Sequence, residues 1–431
     1  MNFKDVIKDI LIEFHHQKLP EVMPRNVQLP VDSGNIISVI GVRRSGKTYL
    51  LYRTIKDLLT SNVPINKIIY FNFEDERINI QSSELDQIIQ AYYELYPENE
   101  LSECYLFFDE IQNIEGWEKF IRRLFDTQTK NIFITGSNSK LLSREIATSL
   151  RGRTISFDIY PLCFSEYLKF KQAEIAYGSK RQKAKIVNLC YEFLLIGGFP
   201  ELFYIPEDFR IKKLQEYFNT MLYRDIIERF SISQPYLLKF FVKKIFAGIT
   251  KPLSVNKIYN DIRSMGYKIS NNTLYDFVEN VENIFLALLV DEFDFSEIKR
   301  AKSNKKAYCI DTGLLSALDI SLSKNYGKLL ENMVALEFRK NNVEFTFFKD
   351  ASECDFIIQR EDSFRPVQVS YHIDNKDTFK REVRGLVSAC DYLGKRKGVI
   401  ITIDKEDHIV EKGIQIEIVP AYKYFLSKLF L

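Results

Sequence analysis

Short apolar runs alternate with helically spaced segments through the first 160 residues or so. "NIISVIGV", "KIIYFNFED", "CYLFFDEIQ", "NIFITGS" and "TISFDIY" read as strands. Between them, "TYLLYRTIKDLL", "SELDQIIQAYYELY", "GWEKFIRRLFDTQT" and "SKLLSREIATSLR" read as helices. In the third of these, Trp117, Phe120, Ile121, Leu124 and Phe125 recur at steps of three and one, which places them on one helix face. Strands that alternate with helices predict an α/β fold whose mostly parallel sheet is covered on both faces.

After Pro161 the alternation stops. A helical pattern runs from Phe164 to about Phe246, broken by "IGGFPELFYIPED". A second helical stretch, from about Leu253 to Leu289, leads through "LLVDEFDF" and a basic loop to "KKAYCIDTG". Two helices followed by a hairpin predict a winged-helix module. The last hundred residues return to α/β: helix "GKLLENMVALEFRKN", strands "EFTFFKD", "CDFIIQR" and "FRPVQVSY", a helix within "NKDTFKREVRGLVSACDYL", and strand "KGVIITID". The expected blocks are therefore 1–162, 163–235, 236–320 and 321–431.

Composition narrows the function classes. Sixty basic residues against 58 acidic leave a formal charge of +2, so any attraction to nucleic acid or an anionic surface has to be local. The N-terminal "MNFKDVIKDILIEFHHQKLP" carries charges throughout its apolar pattern, as an amphipathic helix does and a signal peptide does not. No apolar run approaches the ~20 residues of a membrane span. Six cysteines are scattered without CxxC pairing, which suits a reduced, cytoplasmic setting. The adjacent His15 and His16 do not make a zinc site.

The sharpest chemical signal is "GVRRSGKT", Gly41 to Thr48, a match to G-x-x-x-x-G-K-[ST] between a strand and a helix. Glycines let backbone N–H groups close around phosphate oxygens, and the helix beginning near Gly46 adds its positive end. Lys47 puts a mobile charge on the outer phosphates, and the Thr48 hydroxyl completes a Mg²⁺ shell. "YLFFDEI" is the partner: an apolar strand delivers Asp109 and Glu110 to the carboxyl end of the sheet, where ligands of open α/β sheets bind. Asp109 would hold Mg²⁺ through water, and Glu110 would act as general base on an attacking water. At the end of the fourth strand, Ser137 and Asn138 either reach the γ-phosphate or cap the next helix. Arg151 and Arg153, before the fifth strand, either stabilise charge on the transferring phosphoryl group, in cis or from a neighbouring subunit, or lie on the surface. With no N-K-x-D motif to read guanine, ATP is favoured over GTP. Arg43 and Arg44 face outward on this reading, toward a lid, a second subunit or solvent.

"GVRRSGKTYLL", "YLFFDEIQNIEGWEKFIRRL", "FITGSNSKLLSRE", "LRGRTISFDIYPLCFSEY", "GGFPEL", "AYCIDTGLLSAL", "LLENMVALEF" and "ECDFII" occur in that order. The set resembles the archaeal and bacterial AAA-type P-loop ATPases that carry a C-terminal domain of unknown function. The resemblance implies an ASCE-type core with a strand inserted between the two motif strands, a helical lid, a winged helix and a terminal domain similar to restriction-endonuclease-like folds. It adds Pro200 of "GGFPEL" as a residue near adenine; the residues themselves read equally as a Gly-Gly-x-Pro turn between helices. The expected nucleotide-contacting set is Gly41, Arg43, Arg44, Ser45, Gly46, Lys47, Thr48, Tyr49, Ser137 and Pro200.

A nuclease of the endonuclease-like type needs metal-binding acids and a lysine. Glu331 and Asp355 match two acidic positions, but Gln368 and Ser370 stand where a third acid and the lysine belong. The sequence therefore argues against nuclease activity and for an inactive scaffold. In the winged helix, the candidate recognition segment "NNTLYDFVENVENIFL" buries Leu274, Phe277, Val278, Val281 and Phe285 and exposes Asp276, Glu279 and Glu282. Phosphates would repel that face. Lys299, Arg300, Lys302, Lys305 and Lys306 form a basic loop that either touches a DNA backbone or is simply solvated. Three functions follow: a Mg²⁺-dependent ATPase, a slow nucleotide-gated switch acting on a protein partner through the C-terminal half, and an ATP-dependent DNA-binding protein. Each is compatible with an oligomer.

Overall fold

The five apolar runs of the first block become strands β1 (Ile36–Gly41), β2 (Ile68–Asn72), β3 (Tyr105–Asp109), β4 (Ile132–Gly136) and β5 (Thr154–Ile159). All pair in parallel, in the order β2-β3-β4-β1-β5. β4 separates the strand of the glycine loop from the strand of the acid pair, as the ATPase resemblance implies. A computed structural model describes residues 3–78, 80–137, 150–175, 178–318, 325–360 and 363–427. The chain divides into two units, Met1–Ile159 and Tyr160–Leu431.

Helices α1 (Phe3–His16), α2 (Lys47–Thr60), α3 (Asp86–Leu95) and α4 (Trp117–Thr127) flank the first sheet. The spacing rule holds for α4, whose Trp117, Phe120, Ile121, Leu124 and Phe125 are all buried. From α2, Leu50, Leu51, Ile55 and Leu58 pack with Ile37, Val39, Phe107 and Phe133 of the strands. Each such side chain contributes about 2 kcal/mol of apolar transfer, which holds the first turn of α2 against the strand ends. Most of the helix expected between β4 and β5 falls outside the described residues. Gly41 is required by contact: a Cβ there would lie 1.9 Å from the carbonyl oxygen of Ile159 on β5.

The second unit begins with α5 (Phe164–Phe170), α6 (Lys180–Ile196) and α7 (Glu207–Thr220), the last continuing into a wider-wound stretch, Met221–Glu228. Then come α8 (Pro235–Ala247), α9 (Val255–Ser264) and α10 (Asn271–Asn283). β6 (Ala287–Asp291) and β7 (Lys305–Cys309) form an antiparallel hairpin, with α11 (Glu297–Lys302) in its loop and α12 (Thr312–Ala317) after it. On α10, Asp276, Glu279 and Glu282 are exposed as expected. The helix stops at Asn283, however, so Phe285 leaves its stripe and adopts φ 59° beyond its end.

The chain ends with α13 (Tyr326–Lys340), β8 (Glu344–Lys349), β9 (Glu353–Arg360), β10 (Ser363–Val369), α14 (Lys376–Tyr392), β11 (Lys397–Thr402), β12 (Asp407–Glu411), β13 (Ile414–Pro420) and α15 (Ala421–Leu426). Six strands form one mixed sheet in the order β12-β13-β11-β10-β9-β8. The sequence reading did not include β12 and β13. The expected blocks 236–320 and 321–431 touch one another here. Glu292 bridges to Phe347 of β8, the Phe293 N–H donates to the Phe347 carbonyl at 2.6 Å, and the Phe293 ring joins the core of Leu386 and Ile400.

Candidate functional site

The loop leaving β1 turns through two left-handed residues, Arg44 at φ 65° and Gly46 at φ 97°. Such turns aim successive N–H groups inward. Gly46 caps α2 without a side-chain bond, leaving the first-turn donors of that helix open to a ligand. Arg25 pins the loop by donating to the Ser45 carbonyl at 2.8 Å. The Ser45 hydroxyl is buried and has no hydrogen-bond partner, an orphan of the kind a ligand satisfies.

Lys47 and Glu110 are both buried, and the ammonium lies 3.0 Å from Glu110 Oε1. Thr48 hydrogen-bonds Asp109. Asp109 also accepts from the Tyr70 hydroxyl at 3.0 Å and from the Thr135 hydroxyl. Thr135 in turn accepts the Glu110 N–H at 2.9 Å. Glu110 adopts φ 52°, an unusual conformation for a non-glycine residue and one that recurs at functional sites. Gln112 donates to Glu110 Oε2 and, at 3.3 Å, to Ser137 Oγ; its own carbonyl oxygen is buried and unpartnered.

The two neighbouring acids are pushed in opposite directions. Burial raises the Asp109 carboxyl above its ordinary value, and the Glu110 charge adds to that. Burial also acts to raise Glu110, but the Lys47 ammonium, the Gln112 amide and Arg43 outweigh it, and the net shift is downward. Glu110 is thus the more readily ionised member of the pair.

Of the residues read from sequence, Gly41, Ser45, Gly46, Lys47, Thr48, Asp109, Glu110 and Ser137 converge at the carboxyl ends of β1, β3 and β4. Tyr49 is exposed on the first turn of α2, edge-on to Tyr52. Arg44 is exposed. The outward reading of Arg43 needs correction: its guanidinium is pinned within its own unit by Glu74, 2.7 Å away. Arg151 and Arg153 do not join the site in the same chain. The register pairs Ile36 with Thr154 and Gly41 with Ile159, so these arginines stand at the start of β5. That is the opposite end of the strand from the loop, about 15 Å away. Arg153 is instead bound to Asp126. Asn138 lies outside the described residues. Pro200 opens a short helical turn of the second unit. There the preceding glycines have a packing role: the Gly198 N–H donates to Asp311 at 2.7 Å, and a Cβ on Gly197 would overlap the Asp311 carboxylate.

The exposed basic tip also needs correction. Lys306 is fully buried, Lys305 pairs with Asp291, and Arg300 donates to the Asp294 carbonyl. Lys299 and Lys302 are exposed, and the Lys305 side chain is 43% exposed beside Asp291. The sequence reading did not identify Gln112, Thr135, Tyr70 and Arg25, which orient the site.

An AAA-domain family description matches residues 33–168. Two domains of unknown function follow, at 188–325 and 326–424. An uncharacterised protein of Methanocaldococcus jannaschii is 36% identical, the match covering 99% of this chain and 95% of that one. The chain belongs to the AAA-domain P-loop ATPase family that carries two C-terminal domains of unknown function. Another relative, an uncharacterised protein of Haemophilus influenzae, is 31% identical over 79% of this chain and 84% of its own. Among solved structures, a Walker-type ATPase of Pyrococcus abyssi aligns with 70% of this chain and 99% of its own at 15% identity and TM-score 0.42. The Orc1 protein of Aeropyrum pernix, solved in complex with DNA, aligns with 75% of this chain and 92% of its own at 10% identity and TM-score 0.32.

The residues present fit the nucleotide and magnesium ion that a P-loop ATPase family implies. The orphaned Ser45 hydroxyl, the left-handed loop and the open helix terminus suit phosphate oxygens. Thr48 and Asp109 form an all-oxygen pair suited to a hard cation. Among the described residues, no helix is long and apolar enough to cross a membrane.

Proposed function

We propose that the protein binds ATP with Mg²⁺ at Gly41–Tyr49 and hydrolyses it, with Glu110 as general base. The observation that carries the proposal is the Lys47–Glu110 ion pair. Phosphate oxygens compete with Glu110 for the Lys47 ammonium. Once Lys47 turns to them, Glu110 loses the positive neighbour that depresses its pKa and becomes the stronger base. Gln112 and the backbone N–H bond to Thr135 keep the carboxylate in place during that exchange. Thr48 and Asp109 would hold the magnesium ion, which supplies charge neutralisation on the phosphates. Ser137, linked to Glu110 through Gln112, would reach an attacking water or the γ-phosphate. The six cysteines are free and buried, which supports a cytoplasmic setting.

The test pairs binding with turnover. Glu110→Gln should bind a fluorescent ATP analogue like the native chain and release phosphate at least about 100-fold more slowly. Native-like turnover in Glu110→Gln removes the general-base assignment. Unchanged binding in Lys47→Ala removes the site.

A slow nucleotide-gated switch is favoured by the same pair: a base held by an internal cation is inactive until nucleotide enters. Steady-state turnover near zero, with a large nucleotide-dependent change in protease sensitivity, would select that reading. The burial of Lys306 removes one of the five charges on which DNA binding through the basic loop would draw.

A further inference from the structure

The second unit contains a constellation that nucleotide chemistry does not use. Glu331 on α13, Glu353 and Asp355 on β9 and Lys306 on β7 converge beneath a cleft of about 1200 Å³. Lys306 Nζ lies 2.7 Å from Glu353 Oε1, 3.2 Å from Glu331 Oε1 and 3.7 Å from Asp355 Oδ1. The Lys306 side chain is 0% exposed.

The surroundings are built to keep this arrangement. Tyr308, two residues along β7, donates to Glu331 Oε1 at 3.0 Å. The second Asp355 oxygen accepts the Val369 N–H at 2.9 Å. Gln368 accepts the Asp355 N–H at 3.1 Å and donates its amide to Glu382. The Phe347 ring faces the ammonium, 5.2 Å from centroid to nitrogen. β7 is fixed from both sides, by its pairing with β6 and by a bridge between Lys306 and Pro252.

Carboxylate oxygens from a helix and a strand that meet at one point are a donor set for a hard divalent cation. The endonuclease-like resemblance of this domain implies such an ion at Glu331 and Asp355. The residues present do not fit it, because the point of convergence already holds a positive charge. Mg²⁺ demands oxygen ligands at about 2.0–2.1 Å in near-octahedral array. An ammonium within 4 Å of the same oxygens both blocks that shell and repels the ion. The lysine absent at Ser370 is thus supplied from another strand, as a plug in place of a water activator.

We propose that Lys306 is a built-in counter-cation: its ammonium takes the place of a divalent metal among Glu331, Glu353 and Asp355 and closes that nest to Mg²⁺ and Mn²⁺. The proposal is independent of the nucleotide site.

The experiment counts Mn²⁺ bound to the nucleotide-free, full-length chain by electron paramagnetic resonance and follows Tm with and without the ion. Asp109→Asn and Asp355→Asn assign any bound ion to the first or second unit. The native chain should hold no Mn²⁺ that Asp355→Asn removes. Lys306→Ala should lower Tm in the absence of metal, gain about one Mn²⁺ and recover Tm as the ion is added. The double variant with Asp355→Asn should lose both gains. If alanine does not fold, Lys306→Gln keeps a donor at that position, and the native count still decides. A native chain carrying Mn²⁺ that Asp355→Asn removes overturns the proposal, as does a folded Lys306 variant that takes no ion.

Discussion

The Lys47 ammonium lies 3.0 Å from Glu110 Oε1, and both side chains are under one-tenth exposed. A phosphate-reading cation and a candidate base therefore neutralise each other in the ligand-free chain. Breaking a buried pair from one side strands a charge, at a cost of about 3 kcal/mol or more. Lys47→Met should therefore lower the urea midpoint of the first unit markedly, and adding Glu110→Gln should restore most of the loss. Additive losses in this double-mutant cycle would show that the two residues are not coupled.

Gln112 tests whether Glu110 needs orientation as well as charge. Its amide bridges Glu110 and Ser137 from a half-buried position. Gln112→Ala should reduce kcat by roughly ten- to a hundred-fold with little change in KM, because it moves the base and leaves the phosphate loop intact. A rise in KM with kcat unchanged would instead make Gln112 part of nucleotide binding.

Gly41 shows how sheet packing and site geometry are joined. A methyl group there would overlap the Ile159 carbonyl of the neighbouring strand. Gly41→Ala has to push β1 and β5 apart or shift the loop, at a cost of about 1–3 kcal/mol. Both Tm and nucleotide affinity should fall. A variant with native Tm and native affinity would mean that the contact relaxes freely.

What the sequence made legible was local. Lys47 and Thr48 are marked by loop spacing, and Asp109 and Glu110 by an apolar strand that ends in acids. Thr135 and Tyr70 carry no such mark. Parallel pairing brings them in, through registers such as Asn72 with Asp109 and Val39 with Thr135. The sequence left Arg151 and Arg153 between a catalytic and a surface role, because distance along the chain does not show which end of a strand faces the loop. Lys306 was read as solvated because a run of basic residues usually is; its burial depends on three acids at positions 331, 353 and 355. In contrast, β13 was visible in principle. Ile414, Ile416 and Ile418 alternate with exposed Gln415 and Glu417, the period of a half-buried strand.

The second unit should lose stability as pH rises toward neutrality, and Glu337 is one reason. Its carboxyl is buried and accepts the Phe164 N–H at 2.7 Å. Burial pushes its pKa up from 4.5 to about 7, while the Lys340 charge and the Phe164 bond act in the other direction. Asp311, buried against Gly198 and Gly313, is raised in the same sense to about 6. For a carboxyl raised on folding, the native state holds more protons than the unfolded state between the two pKa values. Stability is then fully present below the unfolded value and declines as pH rises through the folded one. For Glu337 the window runs from about pH 4.5 to about 7, and the full swing is on the order of 3 kcal/mol. Glu337→Gln keeps an acceptor for Phe164 and cannot ionise. Between pH 5 and pH 8, its Tm should fall less than that of the native chain, with the gap opening as pH rises. Parallel Tm-against-pH curves for the two proteins would show that Glu337 keeps an ordinary pKa in the fold.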